Sequence, residues 1–155
     1  INDITGYRLN VVDAACGSRF YNFEKTKDGG TTWTEVNGDP FDQNMGVAEG
    51  LLFFTNDFGF AGLTYASEDF SMLYVTKDGG ETFERLELPL DTVTELPSEA
   101  EELGFTIEDY DYHTMPQIVD GKMEIYLQTD AMEQQGIIFQ SADNGVTWEY
   151  AGCKE

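Results

Sequence analysis

Thr26-Lys27-Asp28-Gly29-Gly30-Thr31-Thr32-Trp33, Thr76-Lys77-Asp78-Gly79-Gly80-Glu81-Thr82-Phe83 and Ser141-Ala142-Asp143-Asn144-Gly145-Val146-Thr147-Trp148 align without a gap. Each runs Ser or Thr, any residue, Asp, any residue, Gly, any residue, Thr, then Trp or Phe. Five constrained positions matched three times make an internal repeat rather than a chance glycine turn. From Thr26 to Thr76 is 50 positions and from Thr76 to Ser141 is 65. That spacing is close to the length of a four-stranded antiparallel unit.

The residue types explain what each stretch does. Asp-Gly and Asn-Gly between β-prone runs are strong hairpin signals. Gly30, Gly80 and Gly145 supply a backbone region that other residues enter with difficulty. Asp28, Asp78 and Asp143 can accept hydrogen bonds from turn N–H groups, and the hydroxyls of Thr26, Thr76 and Ser141 can do similar local work. Thr32, Thr82 and Thr147 close the motif, and Trp33, Phe83 and Trp148 are expected to anchor beneath the turns.

The flanks agree with hairpins. Strands are expected before each turn at Arg19 to Lys25, Phe70 to Val75 and Gly136 to Gln140, and after each at Thr32 to Val36, Thr82 to Leu88 and Thr147 to Ala151. Upstream, Leu51 to Thr55 and Phe60 to Ala66 read as two further strands, turning at Asp57-Phe58-Gly59. In the last repeat His113 to Val119 and Lys122 to Thr129 fill those places around Asp120-Gly121. The first repeat has only Tyr7 to Ala14 ahead of its turn strand, so its innermost strand is missing or supplied from elsewhere. The segment Asp91 to Tyr112 interrupts the pattern. It carries many acids and no base, and it reads as a solvated connector or an acidic contact loop. Within it Pro97 to Gly104 reads as a short helix, with Ser98 and Glu101 as a capping-box pair and Gly104 as the stop.

These turns resemble the Asp-box of the BNR-repeat families, which include bacterial sialidases, sortilin-type receptors and photosystem assembly factors. Phe54-Thr55-Asn56-Asp57-Phe58-Gly59-Phe60-Ala61 is similar to a strand corner common in the last group. The resemblance covers nearly the whole chain. It implies an all-β, β-propeller-like fold of about three four-stranded antiparallel blades with Asp-box hairpins and one short helical insertion. The expected layout is a single domain over 1–155, with blades near 1–45, 46–90 and 113–155 and the acidic insertion at 91–112. Propellers carry at least about four blades. Three blades therefore imply a fragment of a longer propeller, two chains closing a six-bladed ring as a homodimer, or a compact arrangement that does not close. The family places its Asp-boxes at the blade periphery, so the matched residues carry structural roles.

Composition narrows the function. The chain has 30 acidic and 8 basic residues and a net charge of -22. Nucleic-acid binding needs a clustered Lys/Arg footprint, and the bases here are scattered, so no nucleic-acid partner is expected. An anionic membrane surface is disfavoured for the same reason. No run of about 18 apolar residues exists, so no direct membrane insertion is expected. The chain opens at Ile1 with no leader pattern, as expected of a trimmed chain or a mature form cut after export. Cys16 and Cys153 fit no metal or redox motif, and either a disulfide between them or two free thiols fits the sequence.

Sialidase-type hydrolysis, as the resemblance presents it, needs three convergent arginines, a Tyr nucleophile paired with Glu, and an Asp acid/base. The only arginines are Arg8, Arg19 and Arg85, and none sits in the family's Arg-Ile-Pro motif. Asp28 and its equivalents lack the calcium-loop pattern. The reading therefore leans away from an enzyme and expects no catalytic residue, cofactor or metal. Asp109-Tyr110-Asp111-Tyr112-His113 mixes acids, rings and the sole His, and is the candidate ligand contact. Exposed rings at Tyr110, Tyr112 and Phe53 to Phe60 would add to it. The expected function is protein or glycan binding, or assembly. The alternatives are a sialidase-like hydrolase and a purely structural propeller segment. The resemblance implies an extracellular or cell-surface setting, bacterial in origin.

Overall fold

The structure is a computed structural model and describes residues 4–65, 70–129 and 135–154. It is all-β, with three antiparallel sheets, none of which closes into a barrel. The chain separates into two compact units. One holds the first two sheets, up to Leu86; the other holds Ser71 and the chain from Glu87 onward.

The first sheet has three strands in the order β1 (Gly6–Ala15), β2 (Ser18–Thr26), β3 (Thr34–Asn37). Among the described residues no fourth strand pairs with this sheet. The β1–β2 register sets Tyr7 opposite Lys25 and Leu9 opposite Phe23, with a bulge between Val11 and Asp13. Beyond that bulge the hairpin tip is exposed, with Cys16 at a φ of 51°.

The second sheet is β4 (Val47–Phe53), β5 (Gly59–Thr64), β6 (Ser71–Thr76) and β7 (Glu84–Arg85), in chain order. Both central strands are buried almost throughout, because a strand covered on both faces needs apolar side chains on each. The β5 reading reached to Ala66, which lies outside the described residues. Aromatic rings join the first two sheets. Tyr7 stacks on Phe53 with centroids 3.8 Å apart, and Phe23 meets Phe53 at 5.6 Å and the edge of Phe83 at 5.3 Å. The Tyr7 hydroxyl donates to the Asn56 carbonyl at 3.1 Å, which fixes the ring on the β4–β5 corner. The same corner accepts from the second turn, Gly79 N–H to Asp57 O at 2.8 Å. The sequence read the rings of Phe53 to Phe60 as exposed; Phe60 is wholly buried and Phe53 lies in this stack.

The third sheet contains β8 (Tyr112–His113), β9 (Gln117–Val119), β10 (Lys122–Gln128), β11 (Gly136–Ser141) and β12 (Glu149–Lys154). Its order is β12-β11-β10-β8, and β9 also pairs with β10. The single strand expected over His113 to Val119 is therefore split in two. Pro116 interrupts it because proline has no N–H to give to the ladder. At the break the Thr114 N–H donates to the Tyr126 carbonyl at 2.9 Å, and the Thr114 hydroxyl accepts from the Tyr126 N–H at 3.1 Å.

The acidic insertion is largely exposed but also has local structure and buried side chains. It forms the helix α1 (Ser98–Leu103) and two 3-10 turns, and it buries Pro97, Ala100 and Tyr110. Ala100 and Tyr110 are 0% and 1% exposed, so the segment contributes to the core of its unit. Gly104, at φ 81°, ends α1, and the Phe105 N–H returns to the Ala100 carbonyl at 2.9 Å. The side chain of Glu101, half of the expected capping box, lies outside the described residues. A capping box does form nearby, where Asp109 accepts from the Thr106 N–H at 2.7 Å.

Gly80 shows how tightly the first two sheets meet. Its φ is 95°, and a methyl group there would overlap the Phe23 ring. Gly29 has a φ of 68° with nothing near its missing side chain. Gly80→Ala is therefore expected to lower stability by about 2–4 kcal/mol, combining left-handed strain with overpacking. Gly29→Ala should cost only about 1–2 kcal/mol. Urea denaturation of both variants measures the difference; equal losses would mean that Phe23 does not pack on the second turn.

Candidate functional site

The three repeated stretches form one geometry three times. In the first turn the Thr26 hydroxyl donates to Asp28 Oδ1 at 2.7 Å and accepts from the Gly30 N–H at 2.9 Å. Asp28 then accepts from the Thr32 N–H at 2.8 Å and the Thr32 hydroxyl at 2.7 Å. In the second, the corresponding distances around Thr76, Asp78, Gly80 and Thr82 are 2.9, 2.8, 2.9 and 2.5 Å. In the third, around Ser141, Asp143, Gly145 and Thr147, they are 2.8, 2.7, 2.8 and 2.6 Å. One carboxylate and one hydroxyl thus satisfy turn donors that the strand ladder does not reach. This also explains why the following strands start at Thr34, Glu84 and Glu149, two residues later than expected. The N–H and hydroxyl of Thr32, Thr82 and Thr147 belong to the Asp carboxylate.

The aromatic residue of each turn is half-buried. Trp33 lies against its own turn, where its indole N–H donates to the Gly30 carbonyl at 3.1 Å. Its ring carries the Arg8 guanidinium at 4.2 Å.

The carboxylates are ionised and stay so. Asp28 is held down to about 2 by the Thr32 N–H, then the Thr32 and Thr26 hydroxyls. Asp143 is held at about 2 by the Thr147 hydroxyl and N–H and the Ser141 hydroxyl. For Asp78 burial opposes the charge, but the bonds from Thr82 and Thr76 outweigh it and the net displacement is downward. None of the three is poised to exchange a proton near neutrality.

In the segment Asp109 to His113 several groups have partners within the protein. Asp109 is spent on the Thr106 cap, accepting also from its hydroxyl at 3.0 Å. Tyr110 is a core ring. The backbone of His113 exchanges two hydrogen bonds with the Ser71 hydroxyl, donating at 2.7 Å and accepting at 2.6 Å, and the Asp111 carbonyl accepts from the Ser71 N–H at 3.3 Å. Tyr112 and His113 pair with Gln128 and Leu127 in the sheet. The mixture of acids and rings that marks this stretch in the sequence is the mixture needed to cap a turn and fill a core. Among the described residues no group of three or more His, Cys, Asp or Glu side chains is arranged to hold a metal ion.

Both cysteines are free. Cys16 is exposed, while the Cys153 thiol donates to the Glu95 carbonyl at 3.2 Å and lies 3.5 Å from the Tyr150 hydroxyl. Burial and that thiol push Tyr150 up to about 12.

Two hollows stand out. A groove of about 420 Å³ runs between the first and second turns, bordered by Lys25, Lys27, Asp28, Thr34, Asp78 and Glu81. Its charges are of both signs, and two of its carboxylates are consumed by the turns. A trough of about 250 Å³ crosses one face of the third sheet. Sequence reasoning missed the trough, because its residues come from four separate strands. No family model and no curated protein matches this sequence. Among the described residues no helix is long and apolar enough to cross a membrane.

Burial separates the turns energetically. Gly80 is buried and Gly30 exposed. Thr76→Val leaves the Gly80 N–H sealed without an acceptor and is expected to cost about 1–3 kcal/mol in chemical denaturation. Thr26→Val should cost less, since water can reach Gly30. Equal losses would contradict this role for burial.

The lowered aspartates also set the acid limb. Their folded values lie below the ordinary 3.8, so the stabilisation is complete above that value. It is lost as pH falls from about 4 towards about 2, where the folded carboxylates take up protons. Asp143→Asn is expected to flatten this limb in a denaturation series against pH. An unchanged slope would mean that Asp143 does not carry it.

Proposed function

We propose that this chain is a non-catalytic recognition module built from Asp-box repeats of the β-propeller type, exported or displayed at a cell surface. The observation that carries the reading is the threefold hydrogen-bond network at Asp28, Asp78 and Asp143. It spends the repeated polar residues on closing hairpins and leaves sheet faces and grooves for binding. Repeat class, propeller architecture and location rest on the resemblance of the three motifs.

The arginines favour binding over sialidase-type hydrolysis. Arg8 pairs with Glu24 at 2.6 Å on one face of the first sheet. Arg19 is five positions from Glu24 on the regular strand β2, which puts it on the opposite face and roughly 17 Å away. Two of three arginines therefore cannot grip one carboxylate. Ring closure by a second copy finds little support in side-chain chemistry. One face of the first sheet carries Arg8, Asn22 and Glu24, and one face of the third carries Glu124, Tyr126 and Gln140. Burying such faces against another sheet costs desolvation that apolar blade faces avoid.

Fluorogenic sialosides test the catalytic alternative. No turnover above buffer is expected, and turnover abolished by Arg8→Ala would replace this reading with a hydrolase. Light scattering with and without reductant is expected to show a monomer. A dimer would restore the closed-ring reading, and its loss on reduction would place a cysteine at the seam.

A further inference from the structure

Two asparagines precede glycine in this chain, at Asn37-Gly38 and Asn144-Gly145. Such a pair carries chemistry of its own. The glycine nitrogen can attack the side-chain carbonyl of the asparagine, because glycine has no side chain to obstruct the approach. The sequence presents the two pairs alike, and their surroundings separate them.

At Asn144 the nitrogen is engaged. The Gly145 N–H donates to the Ser141 hydroxyl at 2.7 Å inside the third turn, and Gly145 is buried. Attack would first break that bond and leave a sealed donor without an acceptor. Asn144 at φ 60° and Gly145 at φ 83° are also fixed by the same turn.

At Asn37 the nitrogen is open. Gly38 is exposed, and its N–H has no acceptor among the described residues. Beyond its chain neighbours, a methyl group on Gly38 would meet only Glu35 Oε1, at 3.5 Å. The Asp39 N–H donates to Asn37 Oδ1 at 2.8 Å. That bond folds the side chain back over the Gly38 peptide and aims a donor at the oxygen where charge develops during attack. Asp39 is held in its turn, because its carboxylate accepts from the Gln43 N–H at 2.8 and 2.9 Å.

We infer that Asn37 is a site of spontaneous deamidation and that the third turn protects Asn144 from it. The Gly38 N–H gives its proton to solvent base, and the nitrogen bonds to the side-chain carbonyl carbon of Asn37. The bond from that carbon to Nδ2 breaks, and Nδ2 leaves as ammonia with a proton from water. Water then opens the five-membered imide at either carbonyl, leaving aspartate or isoaspartate. One water is taken up and one ammonia released, with no change in oxidation state.

The product weakens the junction of the first two sheets. Asn37 Nδ2 donates to the Glu81 carbonyl at 3.1 Å and so ties the end of β3 to the second turn. An ionised carboxylate has no hydrogen to give, and its oxygen would face that carbonyl unpaired. Isoaspartate also lengthens the backbone where Asn37 pairs with Phe23, whose ring packs on Gly80. The reaction belongs to the fold and does not depend on what the chain binds.

The test is peptide mapping by mass spectrometry after incubating the full chain in mildly alkaline buffer, folded and, in parallel, in urea. In the folded chain Asn37 is expected to convert about ten- to a hundredfold faster than Asn144, the margin that one buried, bonded N–H provides. In urea the two rates should converge. Ser141→Ala should speed conversion at Asn144 and leave Asn37 unchanged, with urea denaturation checking that the variant is folded during the incubation. The converted protein and the Asn37→Asp variant should both unfold at lower urea than the parent. A rate at Asn37 no greater than that at Asn144 in the folded chain would overturn the inference. An unchanged urea midpoint after conversion would overturn the role given to the bond between Asn37 and Glu81.

Discussion

A single local arrangement holds this fold together: one Asp carboxylate satisfies the donors of a turn that no strand can reach. Hairpin connections of this length leave several N–H groups pointing inward, and each would be costly if sealed from water. Asp28, Asp78 and Asp143 accept from a hydroxyl on one side of the turn and from an N–H and a hydroxyl on the other. The turn is thereby locked to the strands that flank it. Every sheet owes its last strand pair to one such carboxylate, and so the position of its faces.

That arrangement separates structural acids from the rest. The aspartates that look most chemical in the sequence are the least available for chemistry, because their bonds hold them ionised. Asp109 is drawn into a cap, and Glu124 is bridged by Gln140 and Tyr126.

Aromatic residues act at a second level. Tyr7, Phe23, Phe53 and Phe83 form a continuous ring contact between the first two sheets. Gly80 takes part in it by having no side chain. The repeated glycine thus serves local backbone geometry in all three turns and close packing in the second. The first turn, with Gly30 exposed, keeps only the local requirement.

The residues of the three turns, the hairpins around them and the all-β class were legible in the sequence. Each follows from contacts between residues a few positions apart, where hydrogen-bonding groups and β-prone runs leave little choice. The helix stop at Gly104 was legible for the same reason. Tertiary structure alone decided the rest. It split the strand at Pro116, drew Tyr110 and Ala100 into a core, and took up Asp109 and the His113 backbone. It also assembled Thr114, Gln117, Tyr126, Gln128, Gln135 and Lys154 on one face. Those residues are neighbours only through strand register, which depends on pairing across the sheet and leaves no local pattern along the chain.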